Sequence, residues 1–365
     1  MGFKCGIVGL PNVGKSTLFN AITASEQAAA ANYPFCTIKA NTGMVPVPDP
    51  RLDRLVAIAH PQRTVPATMQ FVDIAGLVEG ASKGEGRGND FLGDIRDCDA
   101  IAHVVRCFVD DNIVHVSGSV DPERDIRVIE IELALKDLET VTRRIEKTEK
   151  LARGGDKDAK TLLEVLTKVR ALLDDGKWAR HVQVEDNQQK FLRELQLLTS
   201  KPILYIANVA ESDLPDGNAL SDIVKRVAAD QGAACIVISG KIEAEIALLP
   251  EAERKDFLDT LGLKSSGLDQ LIRAGYKLLG LRTYFTVGEK EVRAWTIHAG
   301  DTAPVAAGVI HSDFEKGFIR AETIAYADFD RLGGEKQAKE AGKMRTEGKD
   351  YVVADGDVMH FRFSV

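Results

Sequence analysis

The octapeptide Gly9-Leu10-Pro11-Asn12-Val13-Gly14-Lys15-Ser16 limits what this chain can be more than any other stretch. It reads G-x-x-x-x-G-K-S. The apolar run from Cys5 to Val8 before it reads as a buried strand. Thr17-Leu18-Phe19-Asn20-Ala21-Ile22 after it reads as the first turns of a helix. Strand, glycine loop and helix start, in that order, are the setting in which the motif cradles phosphate. Gly9 and Gly14 let the backbone curl so that successive N–H groups turn toward a β-phosphate, and the helix N-terminus adds partial positive charge. Asn12, Val13, Gly14, Lys15, Ser16 and Thr17 are therefore the candidate phosphate-binding residues. Lys15 places a point charge against the β- and γ-phosphates, and the Ser16 hydroxyl is a candidate Mg2+ ligand.

The remaining parts of a triphosphate site follow in order. Gln70-Phe71-Val72-Asp73-Ile74-Ala75-Gly76 is a strand that ends in D-x-x-G. An aspartate at a strand's carboxyl end can hold Mg2+ through a water, which is the role expected of Asp73. The Gly76 N–H is expected to meet a γ-phosphate, so Lys15 and Gly76 are the candidate catalytic groups. Between the two motifs lies Asn32-Tyr33-Pro34-Phe35-Cys36-Thr37-Ile38. Thr37 is the candidate switch threonine that closes over the metal, and Phe35 is a candidate nucleotide contact. The layout is that of a signalling-type P-loop NTPase and not of a metabolic kinase.

Base recognition departs from that plan. A guanine-specific site uses N-K-x-D after a strand, its Asp accepting two hydrogen bonds and its Lys stem covering the ring. Here the strand at 201–207 ends in Asn208-Val209-Ala210-Glu211. The Lys has become Val209, and the Asp has become Glu211, one methylene longer. A site built to hydrogen-bond one base edge loses discrimination steeply when a partner shifts. The Asn208 side-chain carbonyl can accept from an adenine amino group, so ATP or relaxed specificity is expected in place of strict GTP. The second base-side element is the strand 234–238 leading into Ser239, Gly240 and Lys241.

Leu77 follows the D-x-x-G where Ras-like enzymes carry a glutamine that orients the attacking water. Leucine has no polar atom for this, so hydrolysis needs another group, a monovalent cation or a partner surface. Asn12 is either a ligand for such a cation, K+ being the candidate, or a turn residue that tolerates unusual φ. The loop 80–88 holds four glycines in nine residues, with Lys83 and Arg87 placed to meet phosphate.

The run G-L-P-N-V-G-K-S, then N-Y-P-F-C-T-I, then F-V-D-I-A-G-L-V-x-G-A-S-K-G-E-G-x-G-N, then N-V-A-E resembles the YchF, or Obg-like ATPase, family within the Obg branch of NTPases. The resemblance covers the whole chain. It implies ATP hydrolysis with Mg2+, a helical insertion, a C-terminal TGS domain and association with ribosomes or ribosomal RNA. That family usually has Met where Val209 stands; both are apolar.

Bulk properties fit a cytoplasmic protein of this kind. The chain has 365 residues, 28% charged and 44% hydrophobic, and its net charge of −8 argues against a uniformly basic nucleic-acid coat. DNA and membrane are not expected partners. The five cysteines are scattered with no C-x-x-C pair, which suits reduced buried thiols.

Motif spacing reveals an insertion. Asp73 and Asn208 are much further apart than the usual run of strand-helix units requires. The strand 100–108 belongs to the core, with His103 as a satisfied core histidine. Helical periodicity then takes over at 121–151, with Ile131, Leu135, Leu138, Val141 and Ile145 on one face. After Gly154-Gly155, Asp156 can cap a second helix that ends at Asp175-Gly176. The two form a projecting hairpin whose tip carries Arg143, Arg144, Lys147, Lys150, Arg153, Lys157 and Lys160, either an RNA-facing patch or a solvated helix face. From 281 the pattern changes to two strands, a short helix at 303–310, a strand at 317–324 and a last strand at 357–363, after Asp355-Gly356-Asp357.

The expected fold is thus α/β: a mostly parallel P-loop NTPase domain over 1–120 and 199–280, a helical coiled-coil hairpin over 121–198, and an α+β β-grasp (TGS-like) domain over 281–365. The expected function is a Mg2+-dependent, ATP-preferring nucleotide hydrolase and switch; a nucleotide-gated adaptor with negligible hydrolysis and a conventional GTPase are the alternatives.

Overall fold

The computed structural model describes residues 3–32, 41–74 and 93–364, with side chains left aside at 26–32. In chain order the strands are β1 (Phe3–Val8), β2 (Thr42–Pro46), β3 (Arg63–Val65), β4 (Thr68–Asp73), β5 (Ala100–Arg106), β6 (Ile203–Asn208), β7 (Ala234–Ile238), β8 (Leu281–Val287), β9 (Glu291–His298), β10 (Phe318–Ala325), β11 (Arg345–Glu347) and β12 (Asp357–Phe363). Four helices matter most: α1 (Lys15–Asn32), α2 (Pro50–Ala59), α3 (Pro122–Arg153) and α4 (Lys157–Asp174).

The first sheet has the order β2-β4-β1-β5-β6-β7 and is parallel except for β2. Every residue of β5 and β6 is buried, which is why these strands read as continuous apolar runs: helices cover both faces of a parallel sheet. β1 lies between β4 and β5. The chain order therefore reverses at β1, and the crevice outside the carboxyl ends of the strands at such a point is where open α/β sheets take ligands.

The insertion follows β5. Asp121 caps α3 by accepting from Arg124 N at 3.1 Å, and Asp156 caps α4 by accepting from Ala159 N at 3.1 Å. The hairpin has its own core of Val141, Val165, Leu166, Val169 and Leu173, closed by Phe191 and Leu197. The seam of α3 follows the expected one at Leu138, Val141 and Ile145, which pack in this core, and departs from it nearer the base. Ile131 and Leu135 are 57% and 42% exposed, and the buried stripe is Ile126, Ile129, Leu133, Asp137 and Val141. The cause is the base of the hairpin: Ile126, Ile129 and Leu133 pack into the sheet's core, not against α4. Asp137 hides the stripe from a hydrophobic pattern. Its buried carboxylate accepts from Leu198 N (3.0 Å), Thr199 N (2.7 Å) and Thr199 Oγ1 (2.6 Å), and so satisfies the chain where it returns to β6.

The second sheet runs β11-β10-β12-β8-β9-β3. The β8–β9 hairpin and the helix Ala303–Ile310 stand where the sequence places them. Its edge strand β3 comes from far upstream and pairs in parallel with β9, Arg63 opposite Glu291. Only Pro66 and Ala67 separate β3 from β4 of the first sheet. Around that crossing, Arg51 of α2 lies 2.8 Å from Asp49 and 2.7 Å from Asp355. Asp355 also accepts from Thr283 N at 2.9 Å. Gly356 between the two aspartates has φ 89°, which favours glycine, and a Cβ there would stand 2.8 Å from Arg51 Nη1 and push on the guanidinium that the aspartates hold. Phe285, Val292, Ala294 and Val358 of this sheet share one apolar cluster with Leu52 and Leu55 of α2 and with Met69 of β4.

Candidate functional site

The loop between β1 and α1 crosses the crevice. A Cβ at Gly9 would stand 2.5 Å from Val104 O, and one at Gly14, with φ 97°, would stand 2.2 Å from Asn208 Nδ2. Both glycines are thus fixed by close approach as well as by the turn. Lys15 is buried, and its Nζ donates to Gly9 O (2.9 Å) and Leu10 O (2.8 Å), folding the ammonium back over the loop. Burial lowers its pKa to about 8, against an upward pull from the Asp73 carboxylate. Burial raises the pKa of Asp73, and Lys15 opposes that. Asp73 Oδ1 is buried with no hydrogen-bond partner among the described residues. An orphaned carboxylate oxygen at the end of β4, together with the exposed Ser16 hydroxyl at the start of α1, is a donor set of the hard-oxygen kind that suits a water-shelled divalent cation. The residues present therefore fit Mg2+.

A cavity of about 1080 Å³ opens beside the loop, at the upper end of the range for small-molecule sites. Its wall brings together Asn12, Gly14, Lys15, Ser16 and Thr17 at one end with Asn208, Val209 and Glu211 and then Ser239, Gly240 and Lys241 at the other. Those residues are up to 229 positions apart in the chain and meet because β1, β6 and β7 end on one edge of the sheet. Val13 is buried under the loop. Phe35, Thr37, Gly76 and Leu77 and the loop 80–88 lie outside the described residues.

Asn208 has a structural task beside the one expected of it. Its carbonyl oxygen, expected to accept from adenine, accepts from Gly240 N at 2.9 Å, and its Nδ2 donates to Val13 O at 2.8 Å. The side chain is a buried strut between the phosphate loop and the base-side loop. Glu211 and Lys241 face each other, Oε2 to Nζ at 3.4 Å. Asn12 has φ 62° and donates from Nδ2 to Val114 O at 3.0 Å. It is therefore a left-handed turn residue that ties the loop down, and Oδ1 is the atom it could offer a cation. His103 is a core histidine as expected, but not a satisfied one. Its Nδ1 has no hydrogen-bond partner among the described residues, and burial, with Lys15 adding to it, holds its pKa down at about 3.

The sequence reading missed one wall of the cavity, which is formed by Phe108, Val109, Asp110 and Ile113 after β5. Arg106, fully buried, organises this segment. Its guanidinium donates to Phe108 O (3.1 Å), Ile113 O (2.9 Å) and Asp110 O (3.3 Å) and lies 4.6 Å from the Phe108 ring centre. The signal was present: a lone arginine closes an apolar strand at the edge where ligands bind. Further on, the buried His115 pairs with Asp125 at the start of α3, Nε2 to Oδ2 at 2.8 Å.

The comparisons with known proteins agree along the whole chain. Residues 4–168 match the family model described as 50S ribosome-binding GTPase. Residues 281–364 match the YchF GTPase C-terminal model, described as a protein of unknown function (DUF933). The ribosome-binding ATPase YchF of Escherichia coli O157:H7 is 59% identical over 365 residues, covering 100% of both chains. The chain belongs to the YchF family. The YchF of Bacillus subtilis (strain 168), also described as a ribosome-binding ATPase, is 58% identical over 367 residues with the same full coverage. Among solved structures, that of the Schizosaccharomyces pombe YchF GTPase superposes with a TM-score of 0.89 at 41% identity, covering 99% of this chain and 98% of the other. The YchF fold, a P-loop nucleotide domain joined to the family's own C-terminal domain, is thus the fold of this chain.

Proposed function

We propose that this chain is a Mg2+-dependent P-loop nucleotide hydrolase that prefers ATP to GTP, yields ADP and phosphate at a slow intrinsic rate, and works as a nucleotide-driven switch on cytoplasmic ribosomes. The observation that carries the reading is the single cavity lined by Lys15, Ser16 and Thr17 at one end and by the Asn208–Glu211 and Ser239–Lys241 loops at the other. Its phosphate end supplies a buried ammonium and the start of an 18-residue helix. Its base end lacks the aspartate and lysine that grip guanine. The ribosome part draws on the family: the relatives from E. coli and B. subtilis are described as ribosome-binding ATPases.

In this reading Lys15 exchanges two neutral carbonyl acceptors for anionic phosphate oxygens, which attract the ammonium more strongly. The N–H groups at the start of α1 orient the β-phosphate. Ser16, Asp73 through a water, and Thr37 hold Mg2+, which when bound neutralises charge on the phosphate oxygens. The Gly76 N–H fixes the γ-phosphate. Asn12 Oδ1 takes a K+ ion. Leu77 orients no water, so the free protein is slow and the ribosome stimulates it, with Lys83 and Arg87 as the residues that respond.

The S. pombe relative is described as a GTPase, which favours GTP as a second reading. Single-turnover hydrolysis of ATP and GTP, with and without ribosomes and in K+ against Na+ buffers, separates the two. ATP turnover that rises with ribosomes is the expected result. Faster GTP turnover selects the second reading, and hydrolysis of neither nucleotide leaves a binding adaptor.

A further inference from the structure

At the base end of the cavity few atoms can tell adenine from guanine. The purines share N7 and differ along the edge that carries N1 and the exocyclic groups. There guanine offers two adjacent donors where adenine offers an acceptor at N1. Asn208 Oδ1 already accepts from Gly240 N and one Nδ2 hydrogen goes to Val13 O, which leaves one neutral lone pair and one hydrogen. The hydrogen left over suits N7, which both purines carry. Val209 is buried, and its N–H donates to Ile238 O at 2.8 Å. Glu211 remains. A carboxylate only accepts, so one that faced the N1 edge would reward guanine and repel the N1 lone pair of adenine.

Glu211 does not stand free to do this. Its Oε2 lies 3.4 Å from Lys241 Nζ. The two side chains spring from different loops, each pinned at its backbone. Glu211 opens the 3-10 turn Glu211–Asp213, closed by Asp213 N donating to Ala210 O at 3.1 Å. Lys241 is the second residue of the helix Gly240–Leu248, whose Gly240 N is held by Asn208. The pair therefore bridges the two base-side loops across the cavity's rim.

We propose that Lys241 and Glu211 form a latch that sets base preference: the ammonium holds the carboxylate away from the base, so the charged acceptor that would reward guanine is withheld. This deepens the reading of the cavity as an ATP-preferring site and rests on it. The side chains are 72% and 48% exposed. An ion pair this exposed shifts an equilibrium by roughly two- to fivefold and is weakened by salt.

The test is a calorimetric measurement of ATP and GTP affinity for wild type, Lys241→Ala, Glu211→Gln and the double variant. Both substitutions are at exposed positions. Lys241→Ala is expected to lower the ATP:GTP affinity ratio by about two- to fivefold, chiefly by gaining GTP affinity. In the Glu211→Gln background the same change should move the ratio by less than twofold. Raising NaCl should shrink the wild-type ratio and leave that of Lys241→Ala unmoved. A wild type that prefers ATP with a Lys241→Ala ratio unchanged, or an equal shift with and without Glu211, overturns the latch alone. A wild type that binds both nucleotides equally, with Lys241→Ala then favouring GTP, overturns the ATP preference and upholds the latch.

Discussion

Asn208→Ala separates the two ways in which this residue could serve the site. The substitution deletes the acceptor for Gly240 N and the donor to Val13 O, at 2.9 and 2.8 Å, both buried. Each backbone group left unpaired costs about 1–3 kcal/mol, so the structure predicts a total loss of about 2–6 kcal/mol. The loss falls on the contact between the phosphate loop and the base-side loop. If only about 2 kcal/mol of it reaches nucleotide binding, affinity drops about thirtyfold. A strut acts on any ligand that spans both loops, so ATP and GTP should weaken together, with their ratio held within about twofold. Asn208→Asp keeps the acceptor for Gly240 N but turns an oxygen toward Val13 O, and should be at least as damaging. Competition with a fluorescent nucleotide gives both affinities, and urea unfolding of the free protein gives the share lost to stability. A selective loss of ATP, with GTP affinity and stability unchanged, would refute the strut and restore Asn208 as the reader of the adenine amino group.

The buried ammonium gives a pH signature. Lys15 titrates near 8 in the free protein, below its ordinary 10.5. Triphosphate affinity should therefore fall as pH rises through 8, while the stability of the free protein rises between 8 and 10.5, where the unfolded chain binds the extra proton; Lys15→Met, which should also abolish ATP binding, removes both trends. His103 stays neutral in the fold down to about 3. Below 6.5 the unfolded chain takes a proton that the folded one refuses, so stability falls with pH. His103→Leu should flatten that acid limb and, by removing an unpaired nitrogen, raise the urea midpoint. Arg106→Lys cannot reproduce a planar fork that bonds three carbonyls. Loss of one charged hydrogen bond, about 1.5–3 kcal/mol, should weaken nucleotide binding at least tenfold and open residues 108–113 to limited proteolysis; unchanged affinity in this variant would show that the segment does not shape the site.

Much of the nucleotide half was legible because its chemistry is local. A glycine loop must sit between a strand and a helix, and Asp121 and Asp156 announce helix starts by the oxygen they offer to N–H groups three residues on. What stayed hidden depends on partners distant in sequence. Asp137 looks like a break in an apolar stripe until Leu198 and Thr199 arrive to use it. Arg106 reads as a residue inside the strand 100–108, whereas the strand ends at Arg106 and the chain bends back to receive its three hydrogen bonds. Asn208 sits in a recognisable motif, but which atoms it has left for a base depends on Val13 and Gly240. β3 has three residues, Arg63, Thr64 and Val65, too few to show a period.

That short strand also sets a timetable. A chain is made from its N-terminus at about 5–20 residues per second. Arg63 must wait for Glu291, 228 positions later, which is a delay of roughly 10–45 s. During that time Leu52, Leu55 and Met69 have been synthesised but the apolar side chains of β8, β9 and β12 that complete their cluster have not. The nascent nucleotide half therefore carries an unpaired strand and an unfilled core, the two features that draw chaperones and misassembly. Loops of this span are slow to close because their entropy is spent before any contact repays it. A chain cut near residue 280 should accordingly be insoluble or chaperone-bound, although every phosphate-binding residue described above is already present in it.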